Sequence, residues 1–389
     1  MLEGNYRYLA QERVIYGRAA ARAVAEEAER LKAKRVFVAT GRTLNRATPI
    51  ARAVAEGLGA AFAGVFDECV EHTPRPTVVA LAAALRAARA DLVVALGGGT
   101  VIDTVKMALL CLAQDVRDVD ALDSWHVRVA ADGTRQSPAM GSPPFRQIAI
   151  PTTLSGAEFS DLAGCSDTRR GIKQAFTLPE MSPLSVILDP AVTTHTPERL
   201  WLSTGIRAVD HAVESVCSIE AAPYVDATCL EALRMFGRSL PENKAQPNDL
   251  EARLQSQIAV WLAASGLNRV AYGASHGIGH VLGAAWGVPH GITSCVLLPA
   301  VLAYNESTTA EPQRLIAAAL GAPTDSAAKA VRRLIESIGL PSRLRDVPGA
   351  DRSAFADLAR KALDNLWVRT NPRRIAGADQ VVAILDLAW

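Results

Sequence analysis

Three of the chain's seven histidines stand in one short run, Gly273-Ala-Ser-His276-Gly-Ile-Gly-His280-Val-Leu-Gly-Ala-Ala-Trp-Gly-Val-Pro-His290-Gly291. Neutral imidazoles are the commonest nitrogen ligands of zinc and iron, and they are also the side chains best suited to moving protons near neutral pH. His276 and His280 are four residues apart and share a helix face, while Pro289 and Gly291 flank His290 in a predicted turn that folds it back toward them. His211, within Gly205-Ile-Arg207-Ala-Val-Asp210-His211-Ala-Val-Glu214, adds a fourth imidazole on a second helix. A lone histidine is usually filler, and His72, His126 and His195 are read as surface or loop residues. Four in this context indicate function.

A second chemical signal is the glycine turn Gly97-Gly98-Gly99-Thr100, which follows the apolar run Leu92 to Leu96 and opens a helix carrying Asp103 and Lys106. Glycines let a backbone approach a pyrophosphate without Cβ collision, and the N–H groups and positive dipole end of the next helix receive its charge. Thr100 is placed to cap that helix or bond phosphate. The turn lacks the G-x-G-x-x-G spacing of the usual dinucleotide fingerprint, and taken singly Asp103 and Lys106 read as a helix-start acid and a solvated lysine. Pro151-Thr152-Thr153-Leu154-Ser155-Gly156 forms another small-residue loop beyond a strand. At Thr40-Gly41-Arg42, where a dinucleotide site usually sets an acid on the adenosine ribose, there is no carboxylate, so NADPH should be tolerated beside NADH.

The elements that must position these groups fall into two halves. Arg35 to Thr40, Asp91 to Leu96, Gln147 to Ile150 and Ser185 to Leu188 are short apolar runs that read as buried parallel strands, separated by helical segments such as Ala19 to Leu31 and Val78 to Arg89. Beyond Asp189 the chain reads as helical throughout, over Leu200 to Ser218, Asp226 to Phe236, Leu250 to Ser265 and Thr324 to Ser337. The expectation is an α/β Rossmann-like dinucleotide-binding domain over residues 1–189 and an all-α domain over 190–389, with the site in the cleft between them. Ala113 to Arg146, with its turn pairs Asp132-Gly133 and Gly141-Ser-Pro-Pro144, reads as a surface excursion.

Composition excludes several classes of function. The 389 residues carry 41 basic against 40 acidic side chains, which gives no long-range field toward nucleic acid or acidic lipid. Neither a secretory signal nor a membrane-length apolar run is seen, so a cytoplasmic protein is expected. Six scattered cysteines without a C-x-x-C pair read as buried reduced thiols.

Taken together, Gly97 to Lys106, Pro151 to Gly156, the Lys173 segment, Leu188-Asp189-Pro190, Gly205 to Glu214 and His276 to Asn305 resemble the iron-containing alcohol dehydrogenase superfamily, which includes the maleylacetate reductases. The resemblance spans nearly the whole chain and implies the dehydroquinate synthase-like fold of that superfamily. It also implies NAD(P) binding by Gly97, Gly98, Gly99, Thr100, Asp103, Thr152, Thr153 and Leu154, with Gly41, Arg42 and Lys173 near the cofactor. His211, His276 and His290 fall on the three metal-ligand histidines, and His280 on a histidine often assigned to proton relay. The fourth ligand of the family is an aspartate four residues before the first histidine. Here that residue is Arg207.

A guanidinium one helical turn before His211 opposes a cation. Two unit charges about 4 Å apart interact by about 4 kcal/mol at an effective dielectric near 20, and a dication feels about twice that. Asp210 and Glu214 offer carboxylates nearby, although Asp210 is about 100° round the helix from His211 and reads as a solvated or helix-pairing acid. A divalent Fe or Zn is therefore disfavoured. Maleylacetate reductases likewise lack the acidic ligand and work without metal on a dicarboxylate, and Arg207 suits bidentate binding of a carboxylate. Their second His-His pair and short loop before Pro-Thr-Thr are not seen, and in those respects the chain looks more like the alcohol dehydrogenases.

The sequence thus points to an NAD(P)H-dependent oxidoreductase that reduces a small, carboxylated carbonyl or enone, with His280 relaying the proton and Arg207, His211, His276 and His290 holding the substrate. A metal-dependent alcohol dehydrogenase and a non-redox family member are the alternatives. Neither nucleic acid nor membrane is an expected partner, and a homodimer is.

Overall fold

The four apolar runs become strands buried along their whole length, as expected of a parallel sheet covered on both faces. They lie in a computed structural model that describes residues 3–129, 135–220 and 222–389; the predicted Asp132-Gly133 turn lies outside the described residues. In chain order the first unit comprises β1 (Arg13–Tyr16), α1 (Ala20–Arg30), β2 (Val36–Ala39), α2 (Arg42–Ala47), α3 (Ile50–Leu58), β3 (Phe62–Phe66), α4 (Arg75–Ala87), β4 (Leu92–Gly97) and α5 (Gly99–Ala113). It continues through β5 (Arg128–Val129), β6 (Arg135–Gln136), β7 (Gln147–Pro151), β8 (Leu162–Asp167), β9 (Ile172–Thr177), β10 (Ser185–Leu188) and α6 (Pro190–Thr193).

Six strands form one parallel sheet in the order β1-β10-β7-β4-β2-β3. The chain runs outward from β2 to the edge strand β3 and then returns to β4 on the other side of β2. The order therefore reverses between β2 and β4, and the carboxyl ends of those strands form the crevice where open α/β sheets bind ligands. On one face Val24, Val54 and Leu58 of α1 and α3 pack on Val38, Val94, Leu96 and Ile148. The edge strands β1 and β3 and the antiparallel hairpin β8–β9 were not foreseen from the sequence. The predicted excursion is only partly superficial, because Leu122 is fully buried and Asp123 pairs with the buried Arg75.

The second unit contains α7 (Glu198–Val216), α8 (Pro223–Ala245), α9 (Leu250–Ala263), α10 (Ala274–Trp286), α11 (His290–Ala319), α12 (Ala327–Ser337), α13 (Phe355–Ala362), α14 (Leu366–Arg369) and α15 (Ala378–Ala388). The chain divides into Arg7–Thr196 and a unit of Pro197–Trp389 with the N-terminal residues to Tyr6. The break thus falls seven residues beyond the expected Asp189, for a local reason. The Asp189 carboxylate accepts from Ala20 N at 2.7 Å and caps α6 through Ala191 N at 2.9 Å, and Thr196 Oγ1 bonds Thr152 O at 2.6 Å, so this segment stays with the sheet. No helix among the described residues is long and apolar enough to cross a membrane.

Two glycines set the approach of the histidine-bearing helices. A Cβ on Gly291 would stand 2.5 Å from Ser203 O, so α11 lies directly against α7. A Cβ on Gly277 would stand 2.8 Å from Val368 N, so α10 lies directly against α14.

Candidate active site

In the helical unit the spacing 207, 210, 211, 214 places one charged or polar group per turn along the buried side of α7. Arg207 Nη1 donates to Ser294 Oγ of α11 at 3.1 Å and lies 3.7 Å from Asp210 Oδ2, and its side chain is 11% exposed. Among the described residues that is the guanidinium's only hydrogen bond, which leaves Nε and Nη2 as donors for a ligand. Asp210 Oδ2 also accepts from Ser294 Oγ at 2.6 Å and from Ser275 Oγ at 2.9 Å. Asp210 is fully buried, so its expected role as a solvated acid is corrected. Its direction round the helix faces it away from solvent, into the contact with α10 and α11.

Glu214 receives the N-terminus of α10. Its carboxylate accepts from Gly273 N at 3.0 Å, Ser275 N at 2.9 Å and His276 N at 3.3 Å, and Oε2 lies 2.7 Å from His276 Nδ1. The far nitrogen of that ring, Nε2, lies 2.9 Å from His211 Nδ1. Tyr272 and Trp367 hold the His276 ring, with centroids at 4.4 Å and 5.6 Å. His280 stands against Trp367 at 4.8 Å and against His290 at 5.4 Å. The four predicted histidines therefore gather as two pairs around one indole. His290 does not sit in a turn, because Pro289 is the N-cap of α11 and His290 is its first residue.

Electrostatics follow from burial. Burial, and then the nearby Arg207 guanidinium, holds His276 well below the usual imidazole value, so the ring is neutral. Burial also raises both carboxyls, Asp210 to about 8 with Glu214 as the next cause and Glu214 to about 7 against the pull of its three backbone N–H donors.

In the α/β unit, the two predicted loops meet at the sheet's crevice. Gly97 pairs with Pro151 in register, and Thr152 N donates to Gly97 O at 3.1 Å. A Cβ on Gly98 would stand 2.9 Å from Thr153 Cγ2, and one on Gly99 would stand 2.8 Å from Ser155 Oγ. Gly98 is the N-cap of α5 and has no capping side chain; Val101 N and Ile102 N donate to Gly98 O, and the N–H groups of Gly99 and Thr100 are left for an external acceptor. Thr100 therefore does not cap the helix; it lies inside the first turn, where its carbonyl accepts from Thr104 Oγ1. Leu154 is fully buried beneath the loop, and Thr152 and Thr153 are nearly so.

Lys106 is not solvated. It is fully buried, donating to Leu162 O at 2.7 Å and to Asp103 Oδ1 at 3.2 Å, while Asp103 Oδ2 accepts from Gly164 N at 3.3 Å. These bonds fasten α5 to the hairpin. Lys173 of β9 lies over Gly164 of β8, where an added Cβ would collide with its Cε. Gly41 bridges to Glu68, and Arg42 pairs with that carboxylate at 3.2 Å. The end of β2 is thus not free of carboxylate: the chain supplies one from beyond β3, a neighbour that sequence position alone concealed.

The donor set fits a divalent cation poorly. The position at which the resemblance implies an acidic ligand holds a largely buried guanidinium, and His211 and His276 direct nitrogens at each other within hydrogen-bond distance. Asp210, Glu214 and His276 do present ligand atoms within 4.8 Å of one another. However, Glu214 already accepts three backbone N–H groups there, and Arg207 stands beside Asp210.

Comparison with known proteins places both units. The iron-containing alcohol dehydrogenase model matches residues 11–190, and the C-terminal model of the Fe-containing alcohol dehydrogenase family matches residues 201–389. Maleylacetate reductase 2 of Cupriavidus pinatubonensis is 31% identical, over 97% of this chain and 94% of its own. The probable alcohol dehydrogenase EutG of Escherichia coli is 32% identical, over 80% and 76%. The crystal structure of maleylacetate reductase from Agrobacterium tumefaciens superposes with a TM-score of 0.84 at 28% identity, covering 100% of this chain and 99% of that one. The chain is therefore a member of the iron-containing alcohol dehydrogenase family, an oxidoreductase similar to the maleylacetate reductases.

Proposed function

We propose that the protein is an NAD(P)H-dependent reductase of a small carboxylated carbonyl or conjugated enone, and that it works without a metal. The observation that carries this reading is Arg207, a largely buried guanidinium anchored through Nη1 to Ser294 with, among the described residues, its remaining donors unused. In low dielectric such a group favours a carboxylate over an uncharged substrate end, and its planar fork fixes orientation as well as charge. NAD(P)H bound at the glycine turn supplies the hydride. His280, ordered by Trp367 and His290, delivers the proton to the substrate's developing oxyanion or enolate. His211 and His290 serve as polar contacts to the substrate, His276, with both ring nitrogens engaged by Glu214 and His211, stands behind His211, and Gly98, Gly99 and Thr153 hold the pyrophosphate.

The test is oxidation of NADPH and NADH by purified protein with maleylacetate and with an uncharged ketone or aldehyde, each with and without EDTA, beside elemental analysis. Expected is chelator-resistant turnover selective for the carboxylated compound, with metal far below one ion per chain. Stoichiometric iron or zinc, with activity lost on chelation, would refute the metal-free mechanism. The homodimer and the cytoplasmic location belong to the same proposal, the former checked by sedimentation equilibrium.

A further inference from the structure

At the end of β2 the chain brings together two side chains that dinucleotide-binding sheets use for opposite purposes. A carboxylate placed there accepts from the adenosine ribose 2′-hydroxyl of NADH, whereas an arginine accommodates the 2′-phosphate of NADPH. Beyond β3 the chain turns back along β2. Thr40 N donates to Phe66 O at 2.9 Å, Cys69 N donates to Thr40 O at 3.3 Å, and between them Glu68 forms an antiparallel bridge with Gly41. Residues paired across such a bridge project to the same face. Gly41 has no side chain, and among the described residues a Cβ there would meet only Cys69 O, at 3.7 Å. Glu68 therefore brings its carboxylate to the place that an acidic side chain at position 41 would have reached.

The arginine is tied to that acid. Arg42 Nη2 donates to Glu68 Oε1 at 3.2 Å, which is the guanidinium's only hydrogen bond among the described residues. The next cation is committed elsewhere, because Arg46 grips Asp67 through Nε at 2.7 Å and Nη2 at 3.3 Å, and Asn45 Nδ2 donates to the same carboxylate at 3.0 Å. Arg46 thus stays with Asp67 whatever happens at Glu68, while Arg42 is held by Glu68 alone. With side chains 61% and 57% exposed, the Arg42–Glu68 pair is weak, and a ligand can separate it.

We propose that Glu68 and Arg42 together set the cofactor preference. Glu68 accepts from the ribose 2′-hydroxyl and makes NADH the preferred cofactor, and its bond to Arg42 withholds the guanidinium from the 2′-phosphate of NADPH. NADPH still binds, because the pair is weak, but its phosphate meets the Glu68 charge. The inference rests on the reductase reading in one respect, that the glycine turn and the Thr152-Thr153 loop hold a nicotinamide dinucleotide. Removing the charge of Glu68 both ends the repulsion and frees Arg42, whose planar fork suits a phosphate.

The experiment is fluorescence titration of the wild type, Glu68→Gln and the double variant Glu68→Gln with Arg42→Ala, each with NADH and with NADPH, in the absence of substrate. The wild type is expected to bind NADH about fivefold more tightly than NADPH. In Glu68→Gln, NADPH should gain about tenfold and NADH lose about threefold, so that the preference inverts. Adding Arg42→Ala should cancel the gain for NADPH and leave NADH where Glu68→Gln put it. A wild type that binds NADPH as tightly as NADH would overturn the inference without any variant. So would a folded Glu68→Gln protein whose two affinities move together, or a gain for NADPH that survives the loss of Arg42. Binding of neither dinucleotide by the wild type would refute the reductase reading and this inference with it, whereas binding of both with the wrong preference refutes the inference alone.

Discussion

Arg207 stands where the resemblance implies an acidic metal ligand, and its effect can be reversed by one substitution. Arg207→Asp places a third carboxyl beside Asp210 and Glu214, which burial has already raised to about 8 and about 7. Without a cation the variant should lose roughly 3 kcal/mol of stability, the order found when a buried charge loses its partner. Zinc at about a hundred times its dissociation constant should then restore about 2.7 kcal/mol. Thermal melts of both proteins with and without zinc test this: the melting temperature of the variant, unlike that of the wild type, should rise with zinc. Equal responses would mean that Arg207 is not what governs metal affinity. The histidines and Arg207 were legible because i, i+4 spacing within one segment already determines a shared face. Trp367 was not, since it arrives from α14, nearly eighty residues beyond His290, and nothing in its local sequence marks it as the wall against His280. The burial of Asp210 was also hidden, because it depends on Ser275 and Ser294 from two other helices.

At the scale of elements, the cofactor cradle is a contact between two loops that are separate in sequence. Gly98 belongs to the β4–α5 turn and Thr153 to the loop after β7, yet a methyl on the first would stand 2.9 Å from the second. Gly98→Ala should therefore push the Thr153 loop away from the first-turn N–H groups of α5 and weaken NADPH binding about tenfold, or about 1.4 kcal/mol. Fluorescence titration measures the change, with circular dichroism to verify the fold; an unaltered dissociation constant would show that the cradle lies elsewhere. The four central strands were legible for the reason that makes them central, since burial on both faces demands an unbroken apolar run. β1 (RVIY) and β3 (FAGVF) lie at the two edges and keep exposed positions, so their sequences lack that run. Hairpin β8–β9 alternates buried and half-buried residues over LAGCSD, a weaker pattern closed by Gly171 at φ 66°.

For the whole molecule, pH is expected to act on stability through buried acids in both units, Asp210 and Glu214 in the helical one and, in the α/β one, an acid outside the histidine cluster. Glu158 is buried in the α/β unit, and among the described residues its Oε2 has no hydrogen-bond partner. Burial raises its carboxyl from the ordinary 4.5 to about 7, with Lys106 opposing the rise. A folded-state value above the unfolded one means that the native chain holds the extra proton between these limits, so stability falls as pH rises through the window from about 4.5 to about 7. A shift of this size corresponds to roughly 3 kcal/mol. Glu158→Gln is neutral at every pH and should remove that slope. It should match the wild type near pH 5 and exceed it near pH 8 by up to roughly 3 kcal/mol. Because the two units need not unfold together, the measurement is amide hydrogen exchange in β4 and β7, followed by mass spectrometry at both pH values. Protection in those strands should decline from pH 5 to pH 8 in the wild type and hold steady in the variant, after correction for intrinsic exchange. A parallel decline in both proteins would assign the pH dependence to some other group and show that Glu158 is accommodated as an ion, with Lys106 close enough to compensate it.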